Sequence, residues 1–212
     1  LAESWEVADD GLSVTLKLRP GVKFHSGAEL TSEDVLFSLQ RLLALKSGYA
    51  RLFEGVSAEA ADASTVTFKL PEPNATFLPS LVRLPIVEKA TVLANLQDGA
   101  YGEFKDYGEA FLAANDAGSG PYRVTSHNPQ EETVLTRFED HFREPAPNAP
   151  DTVRLRYSVE PATIRTLMAQ REWEMTSQWL PLEVKRSLVG LGGMELVIEP
   201  GFSYLVMPLN AQ

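Results

Sequence analysis

Along "LSVTLKL" the positions Leu12, Val14, Leu16 and Leu18 alternate with Ser13, Thr15, Lys17 and Arg19. A period of two puts one face in a core and the other in water, so this stretch is a predicted strand. With Trp5 to Val7 before it and Asp10-Gly11 between, the pattern is a hairpin. Pro20-Gly21 suits a type II turn, and Val22 with Phe24 adds a short extended piece before Ser26-Gly27. The period then changes. In "TSEDVLFSLQRLLALKSG", Val35, Leu39 and Leu42, flanked by Leu36 and Leu43, form one helical stripe. Thr31 with Asp34 resembles a capping box, and Gly48 is the expected stop. "VSAEAADASTVTFKL" is a second hairpin with Val66, Phe68 and Leu70 inward. "PEPNATFLPSL" is a proline-bounded loop entering a short helix, with Phe77 expected to be exposed near its start. A further helix is expected around Tyr107 to Ala114.

At "GSGPYRV", residues 118–124, glycines flank a serine and Pro121 stiffens the entry to a strand. "PYRVTSHN" and "EETVLTRFED" then form an antiparallel pair joined at Asn128-Pro129, and "REPAPNAP" (143–150) is a surface spacer. After it, "TVRLRYSV", "EPATIRTLMAQREW" with Pro161 in the first turn, and "EMTSQW" are predicted as strand, helix and strand. Such a βαβ unit implies a parallel sheet with a right-handed crossover. "PLEVKRSLV" adds a helix, and "MELVIEP" and "SYLVMPLN" add strands. Ligands of open parallel sheets sit beyond the carboxyl ends of strands, where Trp179 and Asn210 fall. Trp179 either stacks on a ligand there or closes the core. Phe202 and Tyr204, beside Gly201, carry the same two readings, and so are candidates for the same site.

Composition narrows the function. The 212 residues carry 19 basic and 29 acidic side chains, a net charge of −10, which disfavours nucleic acid or an anionic membrane as partner. Without cysteine there are no disulfides, thiolate metal sites or cysteine nucleophiles. No apolar run reaches the ~18 residues of a membrane span. His25, His127 and His141 are far apart in sequence and none has a second imidazole at ligand spacing, so no metal centre is expected. Glu131 and Glu132 point to opposite faces of a strand, so they form no acid–base pair. There is no Gly-x-Ser-x-Gly elbow and no phosphate loop. No catalytic residue and no cofactor is expected, and the chemistry points to binding rather than turnover.

The stretch "LAESWEVADDGLSVTLKLRPGVKFHSGAELTSEDVLFSLQRL" resembles the family 5 extracytoplasmic solute-binding proteins of ABC transporters, the group of dipeptide, oligopeptide and nickel binders. "GSGPYRV" with "ETVLTRFEDHF", then "PATIRTLMAQREWEM", then "YLVMPLN" resemble the same family in the same order. Departures fall at "REWEM", where the family usually has a Gly-Glu-Ile-Asp run, and at "MPLN", where an apolar-Phe-Asn ending is common. The resemblance implies an α/β protein with an α+β accessory domain, an incomplete periplasmic-binding-protein-like (class II) fold. Residues 1–117 would be the accessory domain, 118–212 part of the first α/β lobe, and the second lobe would lie beyond Gln212. The glycine turn would be where the chain re-enters the main lobe. The chain opens Leu-Ala-Glu rather than with Met, so either a leader has been removed or the sequence is a piece of something longer. The implied protein is a periplasmic or otherwise extracytoplasmic monomer, lipid-anchored or free. It would capture a di- or oligopeptide between lobes and pass it to an ABC permease, with Trp179, Phe202, Tyr204, Asn210 and Phe77 as ligand-binding candidates. A binder of oligosaccharide, nickel chelate or haem, or a stand-alone peptide-sensing module, stays open beside it.

Overall fold

A computed structural model describes residues 1–177, 179–189, 191, 193–195 and 197. The chain divides into two compact units, Leu1–Tyr157 and Ser158–Gln212. The units part well after the boundary expected at 117/118, because residues 118–157 pack with the first unit. Lys23 pairs with Asp140 at 3.0 Å, the Arg19 guanidinium lies 5.5 Å from the centre of the Phe142 ring, and Phe142 packs on the first core.

The first unit opens with a four-stranded antiparallel sheet in the order β1-β2-β4-β3. These strands are β1 (Ala2–Val7), β2 (Ser13–Leu18), β3 (Ser57–Asp62) and β4 (Thr65–Lys69). The alternation does what period two requires. Val14, Leu16 and Leu18 of β2 and Val66 and Phe68 of β4 are buried, and Leu16 sits opposite Val66. On the other face Thr15 and Thr67 share a hydrogen bond of 3.0 Å. Helix α1 (Ser32–Leu45) covers the apolar face with Val35, Leu39 and Leu42. Asp34 Oδ2 accepts from the Thr31 amide (2.9 Å) and hydroxyl (3.0 Å), while Asp34 Oδ1 accepts from the Lys89 amide at 2.9 Å. One buried carboxylate therefore starts α1 and fixes the start of α3 (Lys89–Ala94). The helix ends at Leu45, with Lys46 rather than Gly48 taking the left-handed cap at φ 49°.

The second sheet is antiparallel, β5 (Tyr122–Asn128), β6 (Glu132–Arg137) and β7 (Thr152–Arg156) in that order. This corrects the expected βαβ unit: β7 runs antiparallel to β6, and residues 174–177 form no strand. The proline-rich connection has the length to fold back, and side chains hold it there. The Tyr122 hydroxyl donates to the Pro150 carbonyl (2.6 Å), Arg137 pairs with Asp151 (2.7 Å), and Arg154 pairs with Glu132 (3.1 Å).

In the second unit, helices α5 (Pro161–Ala169) and α6 (Leu182–Val189) pack through Ile164, Met168 and Leu188. Pro161 stands in the first turn of α5, where its missing N–H is not needed.

Candidate functional site

The most elaborate polar constellation among the described residues is built around the glycine turn. Val22 and Phe24 are fully buried, and backbone bonds from Phe24 N to Ala28 O and from Leu30 N to Val22 O (both 2.8 Å) close a small loop. That loop presents His25. Its amide donates to the Gly118 carbonyl (2.8 Å), its Nδ1 lies 2.8 Å from Asp116 Oδ2, and its Nε2 lies 2.9 Å from the Gly120 carbonyl oxygen. The Phe138 ring closes the remaining side, nearly perpendicular to the imidazole at 4.9 Å between centroids.

Asp116 is the hub of the turn. Its Oδ1 accepts from the Gly118 amide (2.7 Å), an Asx-type turn, and its Oδ2 accepts from the Val124 amide (3.0 Å) as well as facing His25. Burial works against its charge, but the hydrogen bonds from His25, Val124 and Gly118 prevail and hold the carboxyl down at about 2. For His25 burial likewise opposes the charged ring. The bonds to Asp116 and Gly120, with the Asp116 charge, outweigh it and raise the imidazole above its ordinary 6.5.

Beside this hub lies a cleft of about 440 Å³. It is lined by His25, Glu88 and Thr91 at the start of α3, Phe111 of α4 (Glu109–Leu112), and Arg123 and His127 of β5. Two of its polar groups bond into the wall. Glu88 accepts from the Thr91 hydroxyl at 2.6 Å, and His127 Nδ1 lies 2.7 Å from Thr133 Oγ1. Both nitrogens of His25 are occupied, so it has no free lone pair for a substrate proton or a metal. Among the described residues no three His, Cys, Asp or Glu side chains converge to hold a metal ion. The arrangement positions backbone.

The aromatic candidates fare differently. Phe77 is not exposed. It is 1% accessible, within 6.2 Å of Phe53 and 5.4 Å of Phe68 between ring centres, so it is a core side chain and the expected exposed ring is corrected. Asn74 explains the reversal: its Oδ1 accepts from the Thr76 amide (2.9 Å), and its carbonyl accepts from the Phe77 amide. That turn starts α2 (Phe77–Ser80) with the ring facing inward. Trp179 is 85% accessible, on a loop whose Ser177 hydroxyl oxygen accepts from the Trp179 amide at 3.1 Å. It does not close a core. Phe202, Tyr204 and Asn210 lie outside the described residues. Sequence reasoning missed the His25–Asp116 pair. The one local signal was Asp116 two residues before Gly118, an Asx-turn spacing; nothing in a sequence joins it to a histidine 91 positions earlier.

The family model for bacterial extracellular solute-binding proteins, family 5 (middle region), matches residues 1–212. The chain belongs to this family. Among curated family relatives, the Escherichia coli protein named "Probable D,D-dipeptide-binding periplasmic protein DdpA" is 36% identical over 138 residues, 64% of this chain and 25% of that protein. Among solved structures, the ABC transporter substrate binding protein CtaP of Listeria monocytogenes superposes with a TM-score of 0.73 at 25% identity, over 90% of this chain and 38% of that one. The periplasmic binding protein DppA of Helicobacter pylori, solved with the peptide STSA, gives a TM-score of 0.66 at 28% identity, over 81% of this chain and 36% of that one. The chain thus spans between a quarter and two fifths of the length of these three relatives. The mixed α/β architecture is that of the family.

Proposed function

We infer that this chain is part of the solute-capturing component of an ABC importer, and that its solute is a di- or oligopeptide. The carrying observation is the family match along all 212 residues, together with similarity to a solved relative that holds a peptide. Peptide backbone offers donors and acceptors that a protein main chain can pair with, so one site accepts many sequences. In this reading capture proceeds by closure: ligand bridges two half-sites and stabilises the closed arrangement, outside the cytoplasm, before delivery to a membrane permease. Trp179, with its ring in solvent on a loop, supplies a stacking surface, and Phe202, Tyr204 and Asn210 remain candidates for the same role.

The test is a thermal-shift screen of the whole reading frame against peptides, oligosaccharides, nickel chelate and haem, followed by calorimetry on the hits. Saturating peptide is expected to raise the melting temperature, as any ligand selective for the folded state does. A shift with sugar, chelate or haem and none with peptides would overturn the peptide assignment. The 212-residue chain alone is expected to bind peptide more weakly than micromolar; tighter binding would refute capture by two half-sites.

A further inference from the structure

His25 meets a hydrogen-bond acceptor at each ring nitrogen. Gly120 offers a carbonyl oxygen to Nε2 at 2.9 Å, and a carbonyl can only accept. Asp116 Oδ2 faces Nδ1 at 2.8 Å, and this carboxyl already accepts the amides of Gly118 and Val124. Its environment is therefore one that favours the anion, which also only accepts. A neutral imidazole carries one N–H and one lone pair, so it satisfies one of these partners and sets its lone pair against the other. Only the doubly protonated ring fits both.

We propose that His25 is an imidazolium latch that holds the 116–124 turn against the 22–30 loop and loosens when the ring loses a proton. The groups around the ring favour this assignment on balance. Asp116 attracts the cation, Arg123 on β5 opposes it, Phe138 packs nearly perpendicular to the ring, and Glu88 and His127 line the adjoining cleft. Burial resists the charge, yet the ring's affinity for its proton is raised above the ordinary 6.5. The sign follows from that direction: the latch is fully formed below 6.5 and is lost as pH rises through the raised value. An extracytoplasmic protein meets the pH of its surroundings directly, so the latch would couple that pH to the geometry of the turn. It stands whether or not the solute proposed above is correct.

Nitrogen-15 NMR of the three histidines in the whole chain tests the latch, with the His25 signals assigned by their loss in His25→Gln. At about pH 6 both His25 ring nitrogens are expected to carry protons, titrating with a midpoint above 6.5. Hydrogen-exchange protection of the Gly118 and Val124 amides is expected to fall about tenfold as the ring deprotonates, the change that accompanies one lost hydrogen bond. His25→Gln is expected to show low protection at every pH. Should one ring nitrogen be bare at about pH 6, or should the variant keep the same pH-dependent protection, the latch is refuted. If that variant does not fold, His127→Gln and His141→Gln assign His25 by elimination, and its ring-nitrogen titration decides: two protonated nitrogens support the latch and one bare nitrogen overturns it.

Discussion

The β1–β4 sheet with α1 and the α5–α6 pair bury apolar surface on very different scales. In the first, Phe24, Phe53, Phe68, Phe77, Val22 and Val66 are sealed from water and touch from several elements at once. In the second, the buried side chains among the described residues are Ile164, Met168 and Leu188, each still 5% or more accessible. Burying one large apolar side chain contributes about 1.5–3 kcal/mol, so stability is concentrated in the sheet and helix of the first unit. The lesson concerns where change is tolerated: Phe24, Phe53, Phe68 and Phe77 of the first unit serve the core, while Trp179 of the second is exposed.

Four substitutions would break or sharpen that contrast. Phe77→Ala leaves a void between Phe53 and Phe68 and is expected to cost about 3–5 kcal/mol in urea unfolding followed on the first unit. A cost below about 1 kcal/mol would mean the ring is not a core element. Asp116→Asn turns an amide group toward the Gly118 or Val124 N–H and removes the partner of His25, an expected loss of about 2–4 kcal/mol at neutral pH. The unaltered carboxyl, held at about 2 against an ordinary 3.8, contributes stability above 3.8 that drains away as pH falls toward 2. The variant should lack this acid-side slope. Ile164→Val is expected to cost about 0.5–1.5 kcal/mol, confined to probes in the second unit. Trp179→Ala is expected to change stability by under about 0.5 kcal/mol. In the whole reading frame it should weaken peptide affinity several-fold by calorimetry, and unchanged affinity would remove Trp179 from the site.

Legibility in the sequence followed the same contrast. Where one face of an element is buried, the period is written into the chain. Leu16 and Val66, and Val35, Leu39 and Leu42, stand where the alternation and the helical stripe put them, and the Thr31–Asp34 box closes as its spacing required. Partner choice was not legible. "TVRLRYSV" reads as a strand whichever neighbour it takes, and its antiparallel pairing with β6 depends on contacts such as Tyr122 to Pro150 that cross 28 residues. Phe77 misleads because a four-residue helix is too short to show a period, and its polar approach through Asn74 resembles solvent-facing loop. Trp179 supports two readings in sequence, and its exposure removes the core one. Of the site hub, the turn's stiffness could be read, but not the long-range link through His25.

The hub has an evolutionary corollary. Most of what His25 and Asp116 grip is main chain, at positions 118, 120 and 124, and main chain is the same whichever residue occupies the position. Neighbouring side chains can drift without disturbing the grip, except at Gly118, where a methyl group would sit 3.2 Å from an Asp116 oxygen. The aspartate keeps its bonds to the 118 and 124 amides without the histidine, so descendants of this chain should part with His25 more readily than with Asp116.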